Sequence, residues 1–468
     1  MGNGFVKSSL AAGLLSMLLA GMPGVSDAQA TPKQAAPRAD MAYDMDVTAT
    51  LVPAEGIALV RIQLRQPRDL LRSVRFRIDP KRYRDFTGDG ELKVESGRVT
   101  WLPPKKGGSI SYSVSLQEQK KSGSYDSMVQ SRWALFRGDD LVPAASVKTI
   151  KTAYSRTRLR LTGPAGWSFL SAYTRDSQGW FVVNWPERGF DRPVGWMIAG
   201  KLTVKWADVQ GVRLAVAGPL GQGVRSMDIL AFMRWNLPSL LQTFPNFPER
   251  ILIVSAGDPM WRGGISGPNS LFLHADRPLI SGNGTSTLLH ELMHIAQGYS
   301  AEGGDDWIVE GIAEYYTLEI LHRSGTLSSS RYEKGHEKLD AWGEEVQSME
   351  SEHSSGARTA RAVSILQDLD AELRANSKGI YSLDDVARRW TDIIWSSNKK
   401  IRNRLKPHQA SRIYYTILAC YVVWSFISAT IFLRFGDAPR LMVLVIANLN
   451  NVALGVTAFH VLWLNRNL

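Results

Sequence analysis

Residues 290–294 read His-Glu-Leu-Met-His. On a helix, side chains four positions apart share one face, so His290 and His294 can reach a single tetrahedral ion. Glu291, beside the first histidine, then stands on the ion's side, where it can take a proton from water. Catalytic zinc needs three protein ligands and an open position. The next segment, Trp307-Ile-Val-Glu-Gly-Ile-Ala-Glu-Tyr315, offers Glu310 and Glu314 on one helix face, and either completes the set. Such a constellation suits chemistry by metal-activated water with a carboxylate as general base.

Two helices must carry these groups, over residues 285–299 and 305–323, joined by Ser300-Ala-Glu-Gly-Gly304. Thr285 or Ser286 can cap the first, and Asp305 or Asp306 the second. Gly311 and Ala313 are small, which suits close approach of the two helices. Upstream, residues 227–244 are amphipathic and helical despite Pro238, residues 251–257 (ILIVSAG) read as a buried strand, and residues 264–275 end in a second extended run. Further helices fill residues 328–350, 358–376 and 382–396. This alternation predicts an α+β domain over residues 201–396.

Residues 41–200 favour strands instead. SISYSVSL at 109–116 alternates apolar and polar residues, and GWFVVNW is a β-branched and aromatic run punctuated by glycine. The expected architecture is an all-β sandwich. Trp101, Trp133, Trp167, Trp180 and Trp185 are read as core packing rather than a ligand platform.

HELMH followed by WIVEGIAEY resembles the gluzincin metallopeptidases, closest to the glycyl aminopeptidase family. The segments SYSVSL, WALFRGDDLVPA and GARTARAVSILQDLDAELR resemble that family too, so the likeness covers roughly residues 41 to 396. It implies a β-domain followed by a thermolysin-like catalytic domain holding one Zn²⁺ per chain. His290, His294 and Glu310 would be its ligands, Glu291 the general base, and a peptide or protein the substrate. A tyrosine often stabilises the oxyanion in such enzymes; Tyr381 is the first candidate and Tyr332 the second. Asn269 and Ser270, on the expected edge strand, would bind substrate backbone by strand addition. His274 is expected to be structural. The sequence departs from the pattern twice. Fifteen residues separate His294 from Glu310 where relatives usually have eighteen, which keeps Glu314 in play. The stretch from Gly263 to Asn269 also lacks the acidic residue that holds a substrate amino terminus in related aminopeptidases. A catalytically impaired relative that only binds is the alternative function.

The chain ends have their own signals. Lys7, the apolar run from Ser9 to Met22 and Ala28-Gln29-Ala30 read as a signal peptide over residues 1–30, which implies export to the periplasm or beyond. Residues 397–412 form a basic linker, and residues 413–433 and 441–464 are long enough for two transmembrane helices within 413–464. From Leu405 to Leu464 the sequence resembles the terminal helices of an Nramp-type metal transporter, without that family's metal-coordinating helices; this tail alone suggests a membrane transport component. The positive-inside rule keeps Lys399, Lys400, Arg402, Arg404, Lys406 and Arg412 cytoplasmic, whereas a signal peptide places them outside. That conflict points to a fused or composite tail, with membrane attachment if the helices are genuine.

The chain has 468 residues, a net charge of +11 and one cysteine, Cys420, so an intramolecular disulfide framework and Cys-rich zinc modules are excluded. Residues 397–468 carry +8 of that charge (nine Lys or Arg, one Asp) and residues 1–30 carry none, which leaves +3 for residues 31–396. A nucleic-acid partner is therefore not expected.

Overall fold

The computed structural model describes residues 39–183, 190–298, 304–349, 351 and 353–402, the last ten of them as backbone only. The expected signal peptide and transmembrane pair lie outside these residues. Among the described residues no helix is long and apolar enough to cross a membrane.

The N-terminal region is built of three sheets, not the two of a simple sandwich. A six-stranded sheet is centred on Ala42–Val52 and Ile57–Arg65, and a four-stranded sheet on Leu71–Arg77 and Arg98–Leu102. Their apolar faces, with Val47, Ile62, Phe76 and Trp101, share one core. The third sheet has Trp133–Arg137 and Trp196–Gly200 side by side, antiparallel. Ala134, Phe136, Met197 and Ala199 point into that same core. Their neighbours Trp133, Leu135, Trp196 and Ile198 belong to a second cluster on the other side. Successive strand side chains alternate between faces, so a sheet buried on both sides needs uninterrupted apolar runs, and WALF and WMIA supply them. Trp101 and Trp133 are buried, as expected, while Trp180 lies under the guanidinium groups of Arg158 and Arg160.

The following region opens with β1 (Leu202–Val209) and β2 (Val212–Pro219), an antiparallel hairpin turned by Gln210 and Gly211, both at positive φ. Helix α1 (Ser226–Thr243) crosses to β3 (Arg250–Ala256), which runs parallel to β2. A second hairpin, β4 (Gly264–Gly267) and β5 (Ser270–His274), completes the sheet, in the order β1-β2-β3-β5-β4. Leu214, Val216, Ile251, Ile253, Leu271 and Leu273 face the helices. Ala215, Ala217, Leu252, Val254 and Phe272 face the third N-terminal sheet. The helices are α2 (Thr287–Gln297), α3 (Asp306–Arg323), α4 (Ser329–Gly343), α5 (Ala357–Asn376) and α6 (Leu383–Arg402). Helix α6 runs six residues into what the sequence suggests is linker.

Gly311 does not serve the contact expected of it. A Cβ there would lie 2.6 Å from the Cβ of Ala362, so the glycine admits α5 against α3 rather than α2. The glycine at position 264 brings β4 close to α2: a Cβ would stand 2.7 Å from Thr287 Cγ2 and 2.9 Å from Glu291 Cγ. The edge of the sheet is thus pressed onto the helix that bears the motif.

Candidate metal centre

Helix α2 starts at Ser286, whose hydroxyl accepts the Leu289 amide, and stops at Gly298 in the left-handed conformation. Leu288, Leu289, Leu292 and Met293 are fully buried and hold its apolar face in the core. This leaves His290 and His294 together on the remaining face, each side chain about one-sixth exposed (17% and 16%). Helix α3 is tied to α2 where the Gln297 amide reaches the Val309 carbonyl at 3.4 Å. Its first turn is held by the Asp306 carboxylate, which accepts the Ser354 amide at 2.7 Å.

The two helices converge on three donors. The Nε2 atoms of His290 and His294 are 3.2 Å apart. Glu310 Oε2 lies 3.1 Å from His290 Nε2, and Glu310 Oε1 lies 3.4 Å from His294 Nε2. These are the only three His, Cys, Asp or Glu residues, among those described, whose ligand atoms cluster within 4.8 Å of one another. Ligand bonds of about 2.05 Å in a tetrahedron put donors about 3.3 Å apart, close to the separation of the two imidazole nitrogens and to the approach of one Glu310 oxygen to each of them. Two imidazoles and a carboxylate are also the donor types that zinc prefers.

Glu314, the other glutamate that spacing allowed, takes a different place. Its Oε2 lies 2.9 Å from His290 Nδ1, on the far edge of the ring from Glu310. One turn of α3 thus supplies a carboxylate to each nitrogen of His290. Burial works against a charge on this imidazole, but its hydrogen bonds to Glu310 and Glu314 outweigh that and hold its pKa well above the ordinary value. Burial and the neighbouring His290 charge push His294 down to about 4. Glu310 is lowered, because its histidine partners outweigh its burial. A cation held by both rings would displace any proton on their Nε2 atoms.

Glu291 lies on the β4 side of α2. Its Oε2 accepts the Ser266 amide at 2.7 Å. Burial raises its pKa, against the opposing pull of His290 and of its hydrogen bonds from Ser266. A carboxyl raised in this way is closer to the pH at which a general base works best.

Three sequence-derived site residues fall elsewhere. Asn269 is exposed at positive φ in the β4–β5 turn, after Pro268, a pairing that favours turns. Ser270 is wholly buried on β5; its hydroxyl accepts the Trp196 amide at 2.7 Å and donates to the Pro268 carbonyl. The edge strand is Gly264–Gly267, so the residue facing the site is Ser266, which the Pro-Asn turn signal would have revealed. Tyr381 precedes Leu383, whose amide bonds Asp370, and Asp384, which pairs with Arg323 at 2.7 Å. Arg323 is the last residue of α3, about 20 Å along the helix from Glu310 at 1.5 Å per residue. Tyr381 itself is held through its backbone amide by Ser377 Oγ at 2.9 Å. Tyr332 is engaged with α3: its hydroxyl donates to Glu319 and its ring stacks on His322 at 4.4 Å. His274 is buried at the end of β5, where Nδ1 accepts the Asp276 amide, consistent with a structural role.

No protein-family model matches the sequence, and no curated protein matches it. Solved structures do resemble the fold. A crystal structure of an aminopeptidase N family protein from Idiomarina loihiensis aligns with a TM-score of 0.58 at 16% identity, covering 75% of this chain and 70% of that one. Native yeast LTA4 hydrolase aligns with a TM-score of 0.47 at 14% identity, covering 75% of this chain and 61% of that one. The described chain therefore has a β-rich N-terminal region and an α/β-containing domain arranged as in an aminopeptidase N family fold.

Proposed function

We propose that this protein is a zinc-dependent peptidase. The observation that carries the reading is the triangle of His290, His294 and Glu310, with donor separations of 3.1–3.4 Å and Glu291 adjoining it. The likeness in fold to an aminopeptidase N family protein agrees with it.

Bound zinc would supply a Lewis acid that acidifies water and polarises a carbonyl. The residues of the chain supply the rest. Glu314 takes the Nδ1 hydrogen of His290, which turns the Nε2 lone pair toward the other two donors. Glu291 accepts a proton from water at its carboxylate and passes it to the departing amine. The Ser266 amide holds one oxygen of that carboxylate and so orients the group. The outer edge of β4 offers its remaining backbone groups to an extended peptide, which would pair with it as an added strand. This role replaces the one expected of Asn269 and Ser270. We infer from residues 1–30 that the enzyme is exported, and from residues 413–464 that it is membrane-attached where that tail is native.

The test is hydrolysis of a mixed peptide library by the purified full-length chain. We expect one zinc per chain, cleavage abolished by a chelator and restored by Zn²⁺. Full zinc occupancy with no cleavage of any library member would leave the binding-only alternative standing instead.

A further inference from the structure

Trp196 lies on an N-terminal strand, yet its polar groups are bonded to the β4–β5 hairpin. Its backbone amide donates to Ser270 Oγ at 2.7 Å, and its indole Nε1 donates to the Ile265 carbonyl at 2.8 Å. The ring is 1% exposed and packs on Phe272 of β5 with centroids 5.5 Å apart. The preceding residue must be glycine for this approach. At Gly195, which has positive φ, a Cβ would stand 2.6 Å from the Pro268 carbonyl oxygen and 2.7 Å from Ser270 Oγ.

Strand β4 needs such support. It has four residues, two of them glycine, and it is hydrogen-bonded to a neighbouring strand along one side only. Ile265 immediately precedes Ser266, whose amide meets Glu291. We propose that Trp196 is a positioning residue for the site: its indole N–H fixes β4, so that the N-terminal β region sets the placement of the strand against Glu291. The catalytic consequence rests on the zinc-peptidase reading, whereas the mechanical link does not.

Trp196→Phe keeps an aromatic ring in the pocket and removes the indole donor. Phe272→Leu disturbs packing on the same ring and leaves the donor intact. In the full-length chain, amide hydrogen exchange of the segment 264–267 should quicken about fivefold or more in Trp196→Phe. Exchange in α2 and β3 should stay unchanged, and Phe272→Leu should leave the segment's exchange near that of the wild type. With a cleaved peptide as substrate, Trp196→Phe should raise KM more than it lowers kcat, because strand addition is weakened while the metal ligands stay in place. Equal exchange in the segment for Trp196→Phe and wild type would overturn the proposal. So would faster exchange spread over the whole chain, or the same local quickening in Phe272→Leu. Should Trp196→Phe not fold, native-state exchange of the wild type decides: segments 264–267 and 196–200 must open in one cooperative step, and independent opening refutes the link. A chain that cleaves no peptide but shows the local exchange change refutes the enzymatic reading alone.

Discussion

Glu314 and His290 meet at 2.9 Å between Oε2 and Nδ1, which places Glu314 behind the imidazole and Glu310 in front of it. Spacing left both glutamates open and the family resemblance favoured Glu310; in space the two have unlike tasks. Glu310→Ala should abolish tight zinc binding, because two imidazoles remain. Glu314→Gln should keep the zinc but weaken it about 10- to 100-fold, as loss of a partner that orients a ligand does. Titration against a chromophoric chelator measures both. Equal losses in the two variants would contradict the assignment.

Glu291 touches neither Glu310 nor Glu314 through a hydrogen bond and is held by Ser266 instead. Glu291→Gln should therefore retain stoichiometric zinc by elemental analysis, while kcat falls about 10²- to 10⁴-fold, the usual contribution of a general base. Loss of zinc from this variant would show that the residue holds the site together rather than moving a proton.

At position 264 a methyl group has no room between β4 and α2. Gly264→Ala should cost about 1–3 kcal/mol in denaturant unfolding, the range for overpacking. It should reduce peptide cleavage more than zinc affinity, since the displaced strand carries Ser266 and no zinc ligand. Unchanged stability and activity would mean that the strand sits farther from α2.

Asp46, far from the site, provides a pH test of the N-terminal sheets. Burial opposes its charge, but hydrogen bonds from Arg158 and Arg65, at 2.9 and 2.6 Å, outweigh it and lower its pKa. A carboxyl lowered on folding stabilises the fold fully above its unfolded pKa, near 4, and loses that contribution as the pH falls through the lowered folded value. Both arginines are partly exposed, so Asp46→Asn should cost about 1–3 kcal/mol at neutral pH, less than breaking a fully buried pair. Urea unfolding of both proteins at pH 7 and at about pH 2.5 should show the gap narrowing in acid. A constant gap would assign the loss to packing.

The local order of the chain determined much of this. Helical periodicity and a serine cap place His290 and His294 on one face of α2, and continuous apolar runs mark β3 as buried, because these features depend on neighbours a few residues apart. The choice between Glu310 and Glu314 did not follow from spacing, since both lie on one face of α3. Only the rotation of α3 against α2 assigns one to Nε2 and the other to Nδ1. The placement of Asn269 in a turn and of Ser270 on a buried strand did not follow from local pattern either, because both are set by long-range packing. The third N-terminal sheet likewise pairs Trp133 with Gly200, and Trp196 holds Ile265, 69 positions away. No local pattern encodes such contacts, which arise when two apolar sheet faces are buried together and their remaining polar groups must find partners.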